Sequence, residues 1–271
     1  MGADIKALKN RIKSVDSSLH LTKAMGLVAS SKIRRANDEM RKGKQYFKAV
    51  MNVMDELRTI PECKRSIFMN TSAGDRTRLI VIAGDRGMAG GYNSNILKMY
   101  REYPSAEVIP VGKRICDRVG SDFVSSETYS YADAKALAVE LCSDYVEGKF
   151  DRLGIISTKY VNMMVQEARI DWVLPLVPSD RPSSSSMIFE PDASSVLDSA
   201  IPEYVAAFII ATVRESFACE VAARRMAMDS AEKNAQQMIE DLELEYNSAR
   251  QSMITQEITE IVAGSGTKRR R

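Results

Sequence analysis

Histidine is almost missing from this 271-residue chain, with His20 as its single copy. One imidazole on a charged segment offers no second histidine for a metal site or an acid–base pair, and it reads as a solvated side chain. Cysteine is scarce as well. Cys63, Cys116, Cys142 and Cys219 lie far apart and form no CxxC pair, which reads as reduced thiols in a cytoplasmic protein and leaves no cofactor or metal expected. No run of about 18 apolar residues stands out, so no membrane span is expected. The start of the chain resembles neither a secretory signal nor an Arg/Ser-rich transit peptide. Charge of one sign is lacking too: 38 Lys+Arg against 36 Asp+Glu leaves a formal +2, too little for a global field towards nucleic acid or an acidic substrate. HExxH, GxSxG and DxDxDG patterns are all absent, so no catalytic constellation is expected.

Proline is absent from the first 58 residues, and neither glycine nor further proline occurs between Pro202 and Val262. Both stretches can therefore be long helices. In the first, Ile5, Leu8, Ile12, Val15, Leu19, Thr22, Gly26, Ala29, Ile33, Ala36, Met40, Gly43, Phe47, Val50, Met54 and Leu57 keep an unbroken alternation of three and four. That narrow stripe is the seam of a left-handed coiled coil, on a helix roughly 80 Å long at 1.5 Å per residue. Small seats at Thr22, Gly26, Ala29, Ala36 and Gly43 suit close approach of a second helix. Each glycine costs about 1 kcal/mol of helix propensity relative to alanine. The second stretch repeats the spacing at Val221, Met228, Ala231, Ala235, Met238 and Leu242, slips to Tyr246, Ala249 and Met253, and continues with Ile254, Ile258 and Ile261. Pro202 suits its first turn, and Gly264 and Gly266 suit its end.

Charge links the two stretches. Residues 1–58 carry 13 Lys+Arg and 6 Asp+Glu, a balance of +7, whereas residues 202–262 carry 5 and 11, a balance of −6. Opposite signs and matching lengths favour side-by-side pairing, although single exposed pairs contribute only tenths of a kcal/mol.

The middle of the chain changes period. Leu79–Ala83, Glu107–Val111, Asp151–Thr158 and Ala168–Leu174 read as strands. Ser94–Glu102, Lys113–Arg118 and Tyr131–Glu147 read as helices, and Pro178–Ser186 as a mobile loop. Strands alternating with helices predict a mainly parallel sheet. A glycine-rich turn, Gly84 to Asn93, joins the first strand to the first helix. It satisfies neither the GxGxxG fingerprint nor a Walker A spacing, so a tight turn with Arg86 exposed, or a protein contact, is expected ahead of a phosphate site.

Several runs are similar to one known family. Arg11–Val15, Leu21–Met25 and Val28–Ala36 at the start resemble the gamma subunit of F-type ATP synthase. So do Asp85-Arg86-Gly87 with Gly90, Gly91 and Asn93 in the middle. Towards the end the resemblance is carried by Ala222–Arg224, Met226–Asp229, Lys233–Ala235, Tyr246-Asn247, Ala249–Gln251 and Ile254–Ile258. The region between about 100 and 200 adds little to it.

The resemblance implies an α/β fold: a long antiparallel coiled coil of the N- and C-terminal helices plus a central Rossmann-like α/β domain. The boundaries are then 1–58 and 202–264 for the shaft, 75–195 for the foot and 265–271 for a flexible basic tail. It implies a non-catalytic central-stalk rotor that couples ion-driven rotation of a membrane ring to ATP synthesis in an alpha–beta hexamer. The implied partners are alpha and beta subunits, epsilon and the membrane rotor ring, with no nucleic acid, at the cytoplasmic face of the cell membrane as a peripheral protein. Carried over residue by residue, Met25, Asp85, Arg86, Gly87, Arg224, Arg250, Gln251 and Thr255 match positions where the family's shaft meets its surroundings. Gly26 and Ala89 depart from the family pattern, and the paired cysteines of light-regulated plastid forms are not evident. A non-enzymatic coiled-coil scaffold, or a nucleotide-binding module with helical arms, is the alternative.

Overall fold

The computed structural model describes residues 2–70, 74–179 and 188–267, with side chains from 5 to 263. The chain divides into two compact units: residues 29–226, and the two chain ends up to Val28 and from Ala227.

The larger unit is built on a four-stranded sheet in the order β2-β1-β3-β4. Strand β1 (Thr77–Ile82) pairs in parallel with β2 (Glu107–Val111) and β3 (Arg152–Tyr160). β4 (Gln166–Leu174) returns antiparallel to β3. A central parallel strand must be covered on both faces, and β1 meets this with an apolar run. Ile80 and Ile82 join one core with Leu153, Ile155 and Val173, while Leu79, Val81 and Ala83 join another with Ile96, Ile115 and Ile156. Helices α2 (Tyr92–Tyr100) and α3 (Lys113–Val119) supply the second core. Helix α4 (Tyr131–Val146) contributes Ala134, Ala138, Leu141 and Tyr145 to the first. Pro110, which cannot donate to a ladder, lies on the edge strand β2. Gly112 follows it with φ 99°, and a Cβ there would stand 2.0 Å from the Ala83 carbonyl oxygen. A capping box between Ser130 and Asp133 starts α4.

Helix α1 spans Gly2–Leu57 and α5 spans Ala193–Thr267. Every seat of the expected α1 stripe from Ile5 to Leu57 is buried or half-buried. Leu21, Leu27 and Val28, off the stripe, are exposed. Within the larger unit α5 runs antiparallel to α1. The Phe47 and Phe208 rings meet edge-to-face at 5.1 Å, and Lys44 Nζ lies 2.9 Å from Glu215 Oε1. A Cβ on Gly43 would come 3.9 Å from the Ala211 backbone, the close approach that the small seats anticipate. In the chain-end unit Lys23 faces Glu232 at 3.9 Å, and Leu19, Met228 and Leu242 are buried.

Four expectations require correction. First, α5 starts at Ala193, and Pro202 lies inside it. Asp192 accepts the Ser195 amide at 2.9 Å and caps the start. An interior proline costs about 3 kcal/mol. Leu197, Ile201, Val205 and Ile209 on either side are all fully buried, each burial contributing about 1.5–3 kcal/mol, so packing carries the helix through. Second, the helix continues past Gly264 and Gly266 to Thr267, taking the first three residues of the expected tail; residues 268–271 lie outside the described residues. Third, the α5 phase slips about two turns earlier than expected. Ile239 is half-buried, whereas Met238 is exposed, as are Ile254, Ile258 and Ile261. Seats at 235, 239, 242, 246, 249 and 253 keep the four-three alternation of a heptad, so the slip is confined to the two consecutive four-residue steps from 231 through 235 to 239. Fourth, α5 does hold an 18-residue window apolar enough for a membrane span, with 56% of it buried inside the protein. A helix apolar all round suits a core position, and here one side meets the sheet while Ala211 meets α1.

Of the loop expected at Pro178–Ser186, residues 180–186 lie outside the described residues. Its start is fastened: Arg58 Nε donates to the Val177 carbonyl at 2.6 Å, and the Ser179 amide donates to the Arg58 carbonyl at 3.1 Å.

Candidate functional site

The glycine-rich loop leaves β1 at Ala83 and re-enters helix at Tyr92. Hydrogen bonds within the chain fix where it leaves the strand and where it enters the helix. The Gly84 amide donates to Asn93 Oδ1 at 2.9 Å, the Tyr92 amide to Ala89 and the Asn95 amide to Gly91. The Asp85 carboxylate accepts from Ser125 Oγ at 2.6 Å and from the amides of Ser126, Glu127 and Lys113 at 3.0, 3.3 and 3.3 Å.

Helix α5 supplies the clasp. Arg224 donates to the carbonyl of Arg86 at 3.2 Å and twice to that of Gly87 at 3.3 Å, and it pairs with Glu220. A Cβ on Gly84 would reach the Glu220 carboxyl carbon at 2.8 Å, so only glycine lets the loop sit so close. Burial pushes the Glu220 carboxyl up, with Arg224 opposing. Two carboxylates, Asp85 and Glu220, therefore stand where a phosphate-binding loop would offer free amides. Beyond the clasp, Met88 adopts φ 58°, and its side chain is 59% exposed. A left-handed backbone is unusual for a methionine, and the clasp on either side of Gly87 holds it there. Arg86 points into solvent, as expected.

The eight candidate residues fall into two groups. Asp85, Arg86, Gly87 and Arg224 form the clasped loop. Met25, half-buried on α1, and Arg250, Gln251 and Thr255, exposed on α5, belong to the chain-end unit. Thr255 Oγ1 donates to the Gln251 carbonyl at 2.9 Å, so its hydroxyl follows the helix. Next to this polar strip Ile258, Ile261 and Val262 are 56%, 71% and 63% exposed. Sequence reasoning missed Glu220 and the 125–127 segment. The i,i+4 spacing of Glu220 and Arg224 was the available signal for the first; no local pattern signals the second.

The family model described as ATP synthase matches residues 4–267. The ATP synthase gamma chain of Ruminococcus albus is 37% identical over 281 residues, covering 97% of this chain and 98% of the relative. This chain belongs to the ATP synthase gamma chain family. A gamma chain of Acetobacterium woodii described as sodium ion specific is 33% identical, covering 98% and 99% of the two chains. The fold is shared with a chain of the Euglena gracilis mitochondrial ATP synthase rotor, at 17% identity and a TM-score of 0.65 over 94% of this chain and 100% of that one. As a gamma chain it is a non-catalytic stalk subunit of the rotor.

Proposed function

We propose that the chain is the central rotor shaft that couples ion-driven rotation of a membrane ring to ATP synthesis in an alpha–beta hexamer. One observation carries most weight: the last turns of α5 expose Ile254, Ile258, Ile261 and Val262 together. A contiguous apolar surface of this kind is a contact surface, and a hexamer that encloses the helix would cover it. In this reading residues 1–58 and 202–264 form the shaft, and 75–195 form the foot that meets epsilon and the membrane ring at the cytoplasmic face. Arg86, Arg250, Gln251 and Thr255 touch the hexamer directly. Met25 supports the same contact from α1, while Asp85, Gly87 and Arg224 fix the shape of the second contact loop. Rotation acts through differential contact: a surface that differs with angle shifts each catalytic site by the difference in its contact free energy. The Glu220 carboxylate packed against Gly84 weighs against a nucleotide-binding module, because it would repel a phosphate there. Purification of the tagged chain from native membranes tests the proposal. Alpha, beta and epsilon should co-purify with ATPase activity, and recovery of a lone homodimer would replace the shaft by a scaffold.

A further inference from the structure

Asp85 stands in the loop read above as a contact region, yet its carboxylate turns inward. Three of its four bonds hold the connection between α3 and α4, at Ser125, Ser126 and Glu127, and the fourth holds the Lys113 amide at the start of α3. Glu127 in turn spans the two long helices. Its carboxylate pairs with Lys32 on α1, and its carbonyl accepts from Arg214 on α5 at 3.4 Å. Arg214 also reaches back to Glu39 on α1 at 3.1 Å.

On the α1 side these ties lie beyond the residues that join the main hydrophobic core. On α1 the core is formed by Met54 and Leu57, with Val50 and Met51 packed against it, and Phe47 meets Phe208 edge-to-face. Nearer the start of α1, Ala36 is buried, but its neighbours are charged. A cleft of about 360 Å³ is lined there by Lys32, Arg35, Glu39, Glu127, Arg214 and Phe217. Arg35 pairs with Glu39, so each charge around the cleft has an opposite partner within it, which favours a brace over a ligand site.

We propose that segment 125–127, positioned by Asp85, is a collar that locks α1 to α5 and delivers load from the glycine-rich loop to both helices. Asp85 is a positioning residue in this account, acting through Glu127. The proposal rests on the rotor reading. A load-bearing brace has a signature that a stability defect lacks. It matters when the rotor works against an opposing gradient and little when the rotor turns freely.

The test uses the intact complex reconstituted in vesicles. It compares Lys32→Glu, Glu127→Lys, the Lys32→Glu/Glu127→Lys double variant and Asp85→Asn. ATP-driven ion uptake is followed to its maximal gradient. ATP hydrolysis per assembled complex is then measured with the gradient collapsed by an ionophore. Each single variant should lose about half of the maximal gradient, a magnitude in keeping with one exposed charge pair. Hydrolysis without a gradient should stay at the parent level in the Lys32 and Glu127 variants. The double variant, with the pair reversed, should recover the gradient. Parent-level gradients in all single variants, no recovery in the double variant, or an equal loss with and without a gradient would each overturn the collar. Ion pumping that persists in a complex lacking this chain would instead overturn the rotor reading.

Discussion

Glu220 and Arg224 stand one turn apart on α5 and form an ion pair whose side chains are 3% and 12% exposed. Removing one partner leaves an uncompensated charge in the interior. Arg224→Ala should therefore destabilise the chain by about 3–5 kcal/mol. Glu220→Gln with Arg224→Ala should cost less than the sum of the two single changes. Urea unfolding of the purified full-length chain gives all three values, and additive losses would show that the residues act separately.

Two carboxylates should give opposite pH signatures. Burial raises the folded-state value of Glu220, so its contribution is most favourable below the unfolded value of about 4.3 and is lost as pH rises through the folded value. Glu203 is pushed down to about 2 by hydrogen bonds from Tyr131, Tyr46 and Lys135. Its contribution is present above about 4.3 and is lost as pH falls towards the folded value. Glu220→Gln should thus flatten the stability profile above pH 4.3, and Glu203→Gln should flatten it below. Stability against pH for the two variants decides the matter; a shared window would contradict the assignment.

Pro202 interrupts the hydrogen-bond ladder of a helix held together by burial. Pro202→Ala restores a donor inside α5 and should stabilise the larger unit by about 1–3 kcal/mol, the helix gain offset in part by greater freedom of the unfolded chain. The urea midpoint should rise with an unchanged slope. A fall would mean that the proline fits a bend that alanine cannot supply.

Pro202 also marks how far the sequence could be read. The α1 seam was legible because a three-four pattern from Ile5 to Leu57 depends on local spacing alone, and β2 was legible for a similar reason. The start of α5 was not, because Leu197 and Ile201 gain their helical context from the sheet they pack against, and a proline outweighs them in any local reading. The slip from Met238 to Ile239 is a matter of phase that two adjacent apolar residues cannot resolve. At the site, Arg86 was legible as an exposed loop residue. The inward bonds of Asp85 were not, since Ser125, Ser126 and Glu127 are some forty residues away in the chain.

Burial is distributed unevenly between the two units. In the chain-end unit it is concentrated at Leu19, Gly26, Met228 and Leu242, whereas Ile80, Ile155, Ile209 and Val213 lie at zero exposure in the larger one. Hydrogen exchange of the full-length isolated chain should therefore show amides of 5–28 and 227–263 opening well before those of β1, β3 and the 205–213 stretch of α5. A single opening free energy across both sets would mean that the units fold as one.

Tethering tests rotation itself. Ile261, 71% exposed near the end of α5, can be changed to cysteine and joined by a disulfide to the surrounding hexamer. Ser94, exposed on α2, can be joined to a hexamer subunit in a second complex. The last turns of α5 carry few tertiary contacts, so they can melt or swivel about backbone bonds at modest cost. Helix α2 has no such escape, because Tyr92 and Ile96 are buried and Ile96 packs against the sheet. The Ser94 tether should abolish multi-turnover ATP hydrolysis, the Ile261 tether should reduce it less, and reduction of either disulfide should restore it fully. Normal turnover in the Ser94-tethered complex would show that this chain does not rotate against the hexamer, and a static scaffold would then be the better account of its helices.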